Sequence, residues 1–170
     1  KSMASIGAFI ASTPEVINFL RYNMRSQIFA KSLPMPLVIG ALKRLEMLRE
    51  NPQHKDDLWK IVNALQSGLK ANGFNIGITT TPVTPVILEG TLAQASHLTY
   101  DLRENFNIFC SLVTYPVIPK GIIILRLIPT AVHSLEDVEE TINAFKAIKA
   151  KLDNGDYPKD INEVAAASVG

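Results

Sequence analysis

Three short apolar runs interleaved with helical patterns predict an α+β sandwich, a small and mainly antiparallel sheet with helices on one face. Two observations carry this expectation. Apolar residues recur at helical spacing over several windows, and the runs Val86–Leu88, Ile108–Thr114 and Ile122–Ile128 are each bounded by turn residues and too short to be helices. The last two runs are separated by a short connection holding Pro116 and Pro119, so they are expected to be antiparallel neighbours.

Taken in order, Ile6 to Ala11 is apolar and reads as a strand. Ser12-Thr13-Pro14-Glu15 then supplies an N-cap followed by proline in the first turn. The helix that follows carries Val16, Ile17, Phe19, Leu20 and Met24 roughly on one face, and it fades before Ser32-Leu33-Pro34-Met35-Pro36. A second helix is expected from about Leu37 to Glu50. The third is the clearest, with Asp56 and Asp57 at its positive end, Leu58, Ile61, Val62, Leu65 and Leu69 at helical spacing, and Asn72-Gly73 closing it. After the strand at Val86–Leu88, Thr91 can cap a helix running to about Asn105. Ser134 with Asp137 three residues later reads as a capping box for a last helix lined by Val138, Ile142, Phe145 and Ile148. Asp153-Asn154-Gly155-Asp156 is a turn-rich break, and residues 153–170 are expected to form a peripheral tail.

Composition excludes several classes of function. With 17 basic and 16 acidic side chains in 170 residues, the net charge of +1 gives no electrostatic footing for nucleic acid or an anionic membrane. The single cysteine, Cys110, has no disulfide partner, suits a reducing compartment, and sits in a strand pattern where a buried apolar role is expected. His54 and His97 lack partners at metal-ligand spacing, so no metal site is expected. The glycines are isolated, so there is no Gly-rich phosphate loop.

Arg126 interrupts the apolar run Ile122–Ile128. A guanidinium buried in such a strand needs an anion, either a carboxylate of the fold or a ligand. The letters around it, PVIPKG, then LR one strand later, then TAVHS opening a helix, resemble the C-terminal part of the α-oxoamine synthases. The opening segment Lys1-Ser2-Met3-Ala4-Ser5-Ile6-Gly7-Ala8-Phe9 is similar to the family's stretch that begins at the cofactor-bearing lysine. The resemblance spans about Lys1 to Leu152. It implies a fold-type I pyridoxal-phosphate enzyme that condenses an amino acid with an acyl-CoA, as serine palmitoyltransferase, glycine C-acetyltransferase and 8-amino-7-oxononanoate synthase do. A same-fold aminotransferase and a non-catalytic dimerisation domain are the alternatives.

The resemblance also implies roles. Lys1 would hold the cofactor as a Schiff base and move protons at the substrate α-carbon. Arg126 would grip the substrate carboxylate, with His133 in support. The segment Arg25 to Pro34 would cross a homodimer interface to the neighbouring subunit's cofactor, with Phe29, Lys31 and Ser32 contributing to its binding. Two departures stand out: Ala8 occupies a position where relatives usually have glycine, and Ala30 one where serine is common. On this reading residues 1–35 are a remnant of the large cofactor-binding domain and the interface segment, and 36–152 are the small domain. No initiator methionine, signal segment or membrane-spanning run is visible, so a fragment of a longer cytoplasmic enzyme is expected, inactive by itself.

Overall fold

The computed structural model describes residues 4–160. The chain divides into two compact units, Lys1–Pro52 and Gln53–Gly170. In the first, α1 (Pro14–Asn23), α2 (Arg25–Ile28) and α3 (Met35–Glu50) follow one another, and none of the three has a buried residue. Thr13 stands at the N-cap of α1 with Pro14 in the first turn, as the sequence predicts.

The expected strand at Ile6–Ala11 is absent. This segment is irregular, with Ile6, Phe9 and Ile10 exposed, because a strand requires a partner for its N–H and C=O groups and no described strand pairs with it.

The second unit holds the core. Helix α4 (Gln53–Ala71) leads to strand β1 (Thr84–Glu89), followed by α5 (Leu92–Phe106), β2 (Ser111–Val113), β3 (Ile122–Leu127) and α6 (Leu135–Asn154). The sheet order is β1-β3-β2, and both pairings are antiparallel. The predicted β2–β3 neighbourhood is therefore present, with Ser111 opposite Arg126 and Val113 opposite Ile124. Strand β2 is shorter than expected because Asn107 turns the chain in the left-handed region, φ 55°, and the ladder with β3 begins only at Ser111. At the β2–β3 connection Gly121 takes φ +86°, a conformation a side chain would strain, and its carbonyl accepts from the Gly90 N–H.

Alternation along the strands sorts the two faces of the sheet. Thr84, Val86 and Leu88 of β1 and Ile123, Leu125 and Leu127 of β3 are buried against the helices. They meet Ile61, Leu65 and Leu69 of α4, Leu98 and Leu102 of α5, and Phe145 and Ile148 of α6 in one cluster. Phe74 packs edge-to-face on Phe145, ring centres 6.0 Å apart. The free edge of β1 is partly closed, since the Ile87 N–H donates to the Asn75 carbonyl at 2.8 Å.

Both predicted helix starts are reciprocal capping boxes. The Ser134 hydroxyl accepts from the Asp137 N–H at 3.0 Å, and an Asp137 carboxylate oxygen accepts from the Ser134 N–H at 2.7 Å. Thr91 and Gln94 do the same for α5.

The expectation of a peripheral tail fails for the part described. Tyr157 is buried in the core cluster, and the Thr91 hydroxyl donates to the Lys159 carbonyl at 2.9 Å. The Tyr157 hydroxyl donates to Asp101 of α5, which also accepts from Lys151 at 2.7 Å and from Asn105 at 2.6 Å. Residues 161–170 lie outside the described residues. A buried carboxylate left alone would hold its proton more tightly, but the hydrogen bonds from Lys151, Tyr157 and Asn105 outweigh that burial and hold Asp101 below its ordinary 3.8.

A depressed carboxylate contributes stability that is full above its ordinary value and lost as pH falls through the lowered folded value. Asp101→Asn is expected to remove that acid dependence, and Asp101→Ala to cost about 1–3 kcal/mol at neutral pH by orphaning the Tyr157 hydroxyl and Lys151. Urea unfolding from neutral pH to below pH 3.8 checks both; superimposable profiles for wild type and Asp101→Asn would refute the assignment.

Candidate active site

Because Ile123, Leu125 and Leu127 face the helices, Arg126 faces the other way. It is exposed, which corrects the expectation of a buried guanidinium. The open face of the sheet is itself apolar, so its Ile122 and Ile124 merge with the inward residues into what reads as one unbroken run. Pro85 of β1 and Ser111 of β2 stand opposite Arg126 in the two ladders. Arg126 forms no hydrogen bond or ion pair with any described residue, so the fold supplies no carboxylate for it there.

Nearby in sequence, Thr130 to His133 form a turn between β3 and α6. The His133 Nδ1 accepts from the Thr130 N–H at 2.9 Å and lies 3.1 Å from the Thr130 hydroxyl. This fixes the proton of a neutral ring on Nε2. His133 thereby sets the path of the chain leaving β3, which is the local hydrogen-bonding role its place before a helix suggests.

A groove of about 340 Å³ opens at this end of the sheet. Its floor is Ile61, Leu65, Leu127 and Val138, and its walls include Phe109 and Ile128. Those two are exposed, 83% and 58%, although their neighbours Cys110 and Leu127 are buried. Sequence reading did not single out either wall residue. The signal was present in the alternation about Cys110, which places Phe109 on the face away from the helices. Burial pushes the Cys110 thiol up to about 11, so it is an inert core side chain.

In the first unit, Phe29 is 75% exposed and lies under the Arg25 guanidinium, 5.8 Å from its ring centre. Lys31 and Ser32 are exposed, and neither is hydrogen-bonded or ion-paired to a described residue. An ammonium and a hydroxyl left free in this way are donors of the type a phosphate accepts, so they fit a phosphorylated cofactor. Lys1 lies outside the described residues. Among the described residues no cluster could hold a metal ion, and no helix is long and apolar enough to cross a membrane.

Residues 1–145 match the family model for aminotransferase class I and II. The chain belongs to this family. Within it, the expected kinship with the α-oxoamine synthases is borne out. The chain is 58% identical over 157 residues to the cysteate-C-fatty acyltransferase of Capnocytophaga ochracea, covering 92% of this chain and 37% of that protein. It is 33% identical to the 8-amino-7-oxononanoate synthase of Exiguobacterium sibiricum, covering 90% and 39%. Among solved structures, Sphingomonas wittichii serine palmitoyltransferase superposes with a TM-score of 0.76 at 29% identity, over 93% of this chain and 39% of that one. The chain thus spans less than two-fifths of the length of these relatives.

His133→Ala is expected to lower the stability of the second unit by about 0.5–1.5 kcal/mol, because the Thr130 N–H loses its acceptor. His133→Asn, whose amide oxygen can take the place of Nδ1, should recover most of it. Denaturant midpoints of the two variants decide; equal losses would mean that the hydrogen bond is not what His133 contributes.

Proposed function

We propose that the complete enzyme carrying this segment is a pyridoxal-phosphate-dependent acyltransferase that joins cysteate, or a similarly anionic amino acid, to a fatty acyl thioester. The observation that carries it is Arg126, a guanidinium without a partner among the described residues on an open sheet face, presented beside the turn that His133 braces. Family membership supports the cofactor, and the 58% identity to a cysteate-C-fatty acyltransferase supports the amino acid, ahead of the serine suggested by the first resemblance.

The reaction balances simply. The amino acid loses its α-proton, a carbon–carbon bond forms to the thioester carbonyl, the carbon–sulfur bond breaks, and the thiolate leaves and is protonated to the thiol. The cofactor, when bound, withdraws electrons from the α-carbon so that a bond there breaks. Lys1 anchors the cofactor through its amine and moves the proton at the α-carbon. Arg126 takes the carboxylate with two parallel N–H donors, and its grip turns one α-carbon bond, rather than another, into the position that breaks. Lys31 and Ser32 hold the phosphate.

Coenzyme A as the acyl carrier, a cytoplasmic location and a homodimer complete the reading. The exposed apolar side chains of α1 and α3 support the homodimer. Residues 1–35 are assigned to the large domain and 36–152 to the small one.

Thiol release by the complete enzyme, offered cysteate, serine, glycine and alanine with a long-chain thioester, is expected to be fastest with cysteate. Arg126→Ala should raise the amino-acid KM about 10- to 100-fold, Arg126→Lys less, in keeping with loss of a charge-assisted bidentate contact. Lys1→Ala should abolish both turnover and the absorbance band of covalently held cofactor. Unchanged KM in Arg126→Ala, or no thiol release with any amino acid, would defeat the proposal.

A further inference from the structure

Resting on that reading, the geometry points to the subsite for the alkyl chain: we propose that the groove at the end of the sheet takes the tail of the acyl donor, with Phe109 and Ile128 as the passage from Arg126 into it. The argument begins with connectivity. The new bond forms at the α-carbon, one bond from the carboxylate carbon. The first carbon of the acyl chain therefore lies two bonds from the group Arg126 grips, and the chain must run over whatever flanks Arg126 on this face.

Two directions are open to it. Toward the middle of the sheet stand Val113, Ile124 and Ile87, half-buried side by side, and that row ends at the Glu89 carboxylate. Toward the end of the sheet stand Phe109 and Ile128. Each lies two residues along its strand direction from the Ser111–Arg126 pair, about 7 Å away. Both are exposed, and both continue into the walls of the groove. The groove's volume, about 340 Å³, falls within the range of small-molecule sites.

Charge sharpens the choice of occupant. Asp137 and Glu140 of α6 are exposed at the groove, where they would repel the phosphates of an anionic carrier. The apolar floor of Ile61, Leu65 and Val138 has no such objection to methylenes. The groove thus takes the tail, and the carrier's phosphates lie elsewhere.

The test uses the complete holoenzyme with hexadecanoyl and acetyl thioesters. Thr141→Trp, which fills the groove from α6, is expected to cut kcat/KM for the long thioester about tenfold or more while changing the short one less than about twofold. Phe109→Ser, at an exposed position whose replacement leaves the core intact, should act in the same direction. Equal losses at both lengths, or none at either, overturn the subsite. Calorimetric titration with the hexadecanoyl thioester separates this from the reaction itself. Tight binding that Thr141→Trp weakens, in an enzyme that releases no thiol, keeps the groove and discards the proposed activity. Thiol release whose chain-length dependence neither variant alters does the reverse.

Discussion

Strand β3 is the element on which the second unit depends, because it is the only described strand with a partner on both sides. Its inward residues Ile123 and Leu125 are fully buried between β1, β2 and the three helices. Burying such a side chain stabilises by roughly 1.5–3 kcal/mol, so the inward set fixes the register of β3 firmly. A slip by one residue would turn Arg126 into the core and three apolar side chains out of it. The position of the guanidinium is therefore decided by its neighbours, through the cost of any other register.

The two units solve opposite problems. Residues 53–160 bury a continuous cluster and close their helix starts with reciprocal caps. Residues 4–52 form helices with no buried residue, and Ile39, Leu42, Leu45 and Leu48 of α3 stand exposed along it. Isolated helices of this length are marginal in water, and apolar surface on this scale marks a face meant to be covered. The propensities written into α1 and α3 are adequate locally, but the energy that holds such helices comes from packing.

Local devices were legible in the sequence. The caps at Thr91 and Ser134, the stop at Asn72-Gly73 and the hydrogen bond of His133 involve residues within a few positions of one another, so their chemistry can be read directly. What escaped depends on distant partners. Ile6–Ala11 has strand composition without a described strand to pair with. Tyr157 looked like part of a loose tail because Asp101, which accepts its hydroxyl, lies 56 residues earlier. Arg126 was placed correctly in a strand and in the wrong environment, since an apolar open face hides the two-residue period. The groove was invisible for a related reason: Phe109 and Ile128 are ordinary strand letters until burial of Cys110 and Leu127 shows which way they face.

The free side of β1 has a consequence for how this small sheet behaves in company. Ile87 already donates its amide to Asn75, and by the same parity Pro85, which has no amide hydrogen, stands on that side one step earlier. A foreign strand approaching that margin finds two consecutive donor positions unable to zip with it. Templated stacking into fibrils has little to start from there, and the ribbon is self-terminating on its β1 side.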